Sequence, residues 1–278
     1  MAGKDKRQKI APLKEGRCAL LNIEGKFAKS HLIPRALTGA DSPGERFIEA
    51  GRGSRPIRRY SSWYDHHMVI AEGEKILSLI DDAGIAELRK HRLVWSGFAG
   101  KKKLHINDFL VPPDPVTGIG VREILDVDQN KIRLFFLSLL WRALKTSIKE
   151  FEYLENLNVD LELLASHLVR LESGLPSYLP IVISQISTVG FTHNHSPTIQ
   201  ESVFPDGKTY RFYRFYMQGV IAHVYIGCES LHVDAPAMVV GGADSLVVVT
   251  HKFENSRQFA EARDSIVEAH QQWPGFKS

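Results

Sequence analysis

One imidazole in this chain stands where the backbone could aim it. In "KSHLIPR", His31 is followed by an aliphatic pair and then by Pro34. A histidine at a strand end is rigidly held, and the proline stops that strand by fixing φ and removing a donor. Downstream, "WYDHHMV" supplies Asp65, His66 and His67, and "AEGEK" supplies Glu74. These are residue types that move protons or hold divalent cations. Adjacent histidines point to opposite sides of an extended chain, so at most one of His66 and His67 can face the same site. A second pair, His193 and His195 in "FTHNHSP", sits in a polar stretch that predicts a loop.

The 278-residue chain is 44% hydrophobic and 24% charged, the balance of a globular protein. Its net charge of +3 hides an asymmetry, because residues 1–60 hold 14 Lys or Arg against six Asp or Glu. Clustered cations favour a polyanion partner, since they release phosphate counterions on binding. Lys29, Arg35, Arg58 and Arg59 are the candidate phosphate contacts. Cys18 and Cys228 are the only cysteines, which leaves neither a disulfide framework nor a cysteine-rich zinc site. The longest apolar run, "LFFLSLLW", falls short of the ~18 residues of a membrane span, so a cytoplasmic protein with no membrane partner is expected.

The block "SHLIPRAL", with a cysteine upstream, a polar loop after it and then a glutamate-bearing helix, resembles the HNH endonucleases of the ββα-metal, treble-clef group. It is similar in particular to bacterial HNH-like proteins with an "SHIIP" core, whose chains continue into a segment like "FFLSLLWRALKTS". The resemblance implies His31 as general base and Glu74 as a metal ligand for phosphodiester hydrolysis on DNA or RNA. Asp65 with His67 (or His66 in its place), close by in sequence, would complete a site for one Mg²⁺ or Mn²⁺. It also implies a role in bacterial defence or a mobile element. The sequence departs from the family in two respects. Ser30 stands where active members often carry Asp, and the four zinc-cysteine positions fall on Cys18, Leu21, Ile70 and Gly73. No structural zinc is expected, and Trp63, Val69, Ile76, Leu77, Ile80, Leu93 and Trp95 are expected to pack in its place. Two readings follow: a metal-dependent nuclease, or a catalytically degenerate module that binds nucleic acid or assembles with a protein partner or a second copy through its C-terminal domain.

The elements that would position these residues give an α+β chain. After a basic arm at about 1–15, residues 18–34 read as a hairpin turning at Glu24-Gly25, and Thr38–Ser62 reads as a loop. "AEGEKILSLIDDAGIAELRKHR" has helical spacing, with Gly84 as a weak point. The prolines near 111–120 predict a linker between an HNH-like module, 1–110, and a larger C-terminal α/β domain with an antiparallel sheet, 121–278. In that domain "KIRLFFLSLLWRALKTSIKEF" predicts a buried helix, and the next helix is expected to be capped by Asn158 and stopped by Gly174. "PIVISQIS", "TYRFYRFYMQ", "VIAHVYIG" and "SLVVVT" predict strands, with a turn at "FPDG" and a last helix at roughly 256–271.

Overall fold

The computed structural model describes residues 14–38, 47–51, 54–59, 62–190, 193–204, 207–260, 263, 264 and 267, with backbone alone at 47–51, 54–59, 193 and 194. Most of the basic arm and the end of the last helix lie outside the described residues. The N-terminal third runs β1 (Glu15–Arg17), β2 (Glu24–Lys26), β3 (Ser30–His31), β4 (Phe47–Gly51), β5 (Ser54–Arg59), β6 (Tyr64–Asp65) and α1 (Ala71–Lys90). Then come β7 (Gly120–Ile124), α2 (Gln129–Lys145), α3 (Leu161–Arg170), β8 (Ile181–Ile186), β9 (His193–His195), β10 (Thr198–Val203), β11 (Thr209–Met217), β12 (Val220–Tyr225), the short α4 (Leu231–Asp234) and β13 (Leu246–His251).

The β-branched and aromatic runs do form a sheet. It has six strands in the order β10-β11-β12-β8-β13-β7, antiparallel except where β13 runs parallel to β8. The aromatic run of β11 is buried from Phe212 to Met217, so both of its faces are covered. Against the sheet lies α2, whose Ile132, Phe135, Phe136, Leu139, Leu140 and Trp141 are wholly buried. The largest buried cluster takes in Leu77 and Leu88 of α1, Phe135 of α2, Leu164 of α3, Ile183 of β8 and Val248 of β13. It therefore draws on both sides of the proline-rich stretch. Gly84 is no weak point in α1. A Cβ there would lie 2.4 Å from the Cβ of Phe135, so glycine is what lets the two helices approach.

Several local expectations are corrected. Glu24 and Gly25 lie in β2, paired with Arg17 and Gly16; the turn is at 18–22, where Asn22 adopts φ 57°. The glycines serve close packing instead: a Cβ at Gly16 would lie 2.8 Å from the Phe27 ring, and one at Gly25 3.1 Å from Ile70. The expected loop at 38–62 contains β4 and β5, which pair with each other, and β4 pairs in parallel with β9. The polar "HNH" stretch is therefore a strand. Asp160 rather than Asn158 caps α3, accepting from the backbone of Glu162 and Leu163, and Leu171 at φ 57° ends the helix before Gly174. Among the residues expected in place of zinc, Trp63, Val69, Leu77, Ile80 and Leu93 are buried and Ile76 packs on the same core. Trp95 belongs elsewhere, in a separate cluster with Ile186, Tyr216, Ile221 and Phe253.

Candidate functional site

His31 stands on a two-stranded antiparallel ladder in which Ser30 pairs with Asp65 and His31 with Tyr64. The Leu32 amide extends it by donating to the Trp63 carbonyl at 3.0 Å. Side chains alternate along such strands, so the register decides which residues can meet. Ser30 is wholly buried and its partner Asp65 nearly so, whereas His31 and Tyr64 are half-exposed. Leu32 and Ile33 then anchor the strand in the core, and Pro34 at ψ 135° turns the chain into a single 3₁₀ turn, Arg35–Leu37. β6 leads through Ile70 into α1. Strand, strand and helix thus follow one another, with the 47–59 strands inserted between the first two.

The outer face of the ladder is aromatic and cationic. The His31 and Tyr64 rings meet edge-on at 6.2 Å, the Tyr64 and His66 rings at 5.0 Å, and Lys29 Nζ lies 3.9 Å above the Tyr64 ring. Burial holds the His31 pKa below its usual value, and Lys29, Arg142 and Arg35 push it the same way. The imidazole is accordingly neutral near pH 7, able to accept a proton or a hydrogen bond. Lys29, Arg35 and His66 are exposed on this side. Of the histidine pair it is His66 that shares the His31 face; His67 lies edge-on to Phe27 at 5.7 Å.

The inner face holds the carboxylates. Asp65 Oδ1 accepts from the His67 amide at 2.7 Å, while its Oδ2 accepts from Thr146 Oγ1 at 2.6 Å and from the Ser147 amide at 3.4 Å. Oδ2 thereby ties β6 to the end of α2, and Oδ1 closes a local turn after the strand. Glu74, in the first turn of α1, sits beside Ser30. Burial raises its pKa, and the Ser30 hydroxyl and Arg142 pull it back. Ser30 Oγ and Glu74 Oε2 are buried and make no aligned hydrogen bond among the described residues. The structure therefore brings Asp65 and Glu74 to the face opposite His31 and does not gather His31, Asp65, His67 and Glu74 round one point. Among the described residues no group of three or more His, Cys, Asp or Glu is placed to hold a metal ion. Arg58 and Arg59 lie on the backbone of β5, with side chains outside the described residues.

Sequence reasoning missed Arg142, from the buried middle of "LLWRALK". This 1%-exposed guanidinium donates through Nη1 to the His31 carbonyl at 2.9 Å and to Asp81 Oδ2 at 3.0 Å. Its Nη2 donates to Asp81 Oδ1 at 2.5 Å and to Ser138 Oγ at 2.7 Å. A buried cation inside an apolar helix was the available signal, because such a charge persists only when paired.

Of the four positions that the resemblance sets against zinc cysteines, Cys18, Leu21 and Gly73 meet in one corner of the core. Cys18 is 1% exposed, its Sγ accepts from the Leu21 amide at 3.4 Å, and a Cβ on Gly73 would sit 3.0 Å from that sulfur. Ile70 is buried beside Gly25 and bridges to Phe27. No family model matches the chain, and no curated protein or solved structure matches it either.

Proposed function

We propose that residues 18–90 act as a nucleic-acid-binding module of HNH-like construction in which apolar packing has replaced the zinc centre. The observation that carries this reading is the split register of the ladder. Lys29, His31, Tyr64 and His66 lie together on the outer face with Arg35 in electrostatic reach, while Asp65 and Glu74 are turned inward. Cations beside exposed rings suit a phosphate backbone with bases or sugars against it. The strand–strand–helix order and the Cys18–Gly73 corner support the kinship. Neutral His31 then serves as a hydrogen-bonding contact. Metal-assisted hydrolysis with Mg²⁺ or Mn²⁺ is a second reading, favoured by the neutral state of the His31 imidazole, which can accept a proton.

Labelled DNA and RNA oligonucleotides, single- and double-stranded, separate the two. The binding module is expected to retain them without cutting them in either metal, and Lys29→Gln with Arg35→Gln is expected to weaken retention about tenfold or more at low salt. Cleavage by the wild type that disappears in His31→Ala would establish the second reading instead.

The framework has its own test. Leu21→Cys, Ile70→Cys and Gly73→Cys, added to native Cys18, are expected to create a four-thiolate site. The triple variant should bind one Zn²⁺ per chain and give the tetrahedral thiolate spectrum with Co²⁺. Failure of a folded triple variant to bind either ion would remove the kinship.

A further inference from the structure

We infer that the last turn of α2 is a working part of the His31 face, with Arg142 and Thr146 acting as positioning residues for the two strands of the ladder. This rests on the reading of that face as the contact surface, but its geometry stands independently. Arg142 is held by both Asp81 oxygens and by Ser138, and spends its remaining reach on the His31 carbonyl. One turn later, Thr146 Oγ1 and the Ser147 amide fix Asp65, the cross-strand partner of Ser30. Each strand of the ladder is two residues long and could not hold its own register. A helix from beyond residue 120 therefore clamps both strands from behind, one through a main-chain carbonyl and the other through a carboxylate. The outer rings of His31 and Tyr64 are set by contacts made on the opposite face.

The groups facing His31 are Lys29 just before its strand, Arg35 in the following turn, Tyr64 across the ladder and Arg142 from α2. NMR of the 278-residue chain with labelled histidine rings reads the clamp directly. Arg142→Gln is expected to move the His31 midpoint up toward its ordinary value. Arg142→Lys, which keeps the charge, should leave it lowered. His251, whose lowered value comes from burial alone, should not move in either variant. Thr146→Val is expected to weaken the nuclear Overhauser contacts between the His31 and Tyr64 rings, and Thr146→Ser to restore them. An unmoved His31 midpoint in folded Arg142→Gln, or ring contacts undiminished in Thr146→Val, would overturn the inference. If Arg142→Gln does not fold, the Thr146 pair decides. Absence of oligonucleotide binding by the wild type would count against the proposed function while leaving these ring measurements intact.

Discussion

Asp81→Ala is expected to lower the unfolding free energy by about 3–5 kcal/mol, the cost of leaving a buried charge without its partner. The Arg142 guanidinium would keep only Ser138 and the His31 carbonyl, at 1% exposure and with Trp141 wholly buried beside it in sequence. That carbonyl can share the cation's hydrogen bonds but cannot neutralise it. The pair's worth is therefore not its mutual attraction, which desolvation largely offsets. Replacing both partners together, as Asp81→Leu with Arg142→Met, should recover most of the loss, because neither charge is then stranded. Chemical denaturation of Asp81→Leu, Arg142→Met and the double variant measures this cycle. A single Asp81→Ala cost below about 1 kcal/mol would mean that Arg142 is not tied as described.

Acidification is expected to be nearly as damaging. Burial, with Arg214 alongside, holds both His195 and His223 at about 4, against 6.5 in the unfolded chain. As the pH falls from 7, the unfolded chain takes up protons on these imidazoles and the folded protein does not. The unfolded state thus binds more protons throughout this window, and stability falls with pH. By pH 5 the loss is about 2 kcal/mol for each histidine, and it levels off below about 4, where both states are protonated. His31 and His251, also lowered by burial, act in the same sense. His223 packs against the Phe212 ring at 4.4 Å, so His223→Phe keeps a ring there while removing the titration. Denaturant midpoints from pH 8 to pH 5 should show a shallower decline in this variant. An unchanged slope would show that His223 titrates normally.

The sheet and the two long helices could be read from the sequence because their residues declare their surroundings locally. Alternating or continuous β-branched and aromatic residues mark β8, β11, β12 and β13, and α2 is apolar on nearly every side. β4, β5 and β9 were not legible. Gly, Pro, Arg and His carry no strand pattern there, and the pairing of β4 with β9 joins segments far apart in sequence. Gly25 was misread as a turn residue because glycine marks both turns and close approaches, and here Ile70 approaches it.

The site divides in the same way. His31 and its flanking cations were visible from type and order. Which face each neighbour takes was not, because the Ser30–Asp65 register is set across the whole inserted segment and a one-residue slip exchanges the faces. Asp65 looked like a ligand in sequence, yet Thr146 and Ser147, which occupy one of its oxygens, come from the far end of α2. Arg142 reads as a helix residue until Asp81 and the His31 carbonyl are brought to it.

The central claim, that the outer face of the His31 ladder grips a phosphate backbone, is tested most directly by the salt dependence of oligonucleotide affinity. Fluorescence anisotropy from about 50 to 200 mM salt gives the slope of log K against log salt, which counts the phosphates neutralised. The wild type should bind with a negative slope. Lys29→Gln and Arg35→Gln should each reduce its magnitude by about 0.7–0.9 while leaving the fold's stability unchanged. No binding at the lowest salt, or a wild-type slope that both substitutions leave unaltered, would contradict the account.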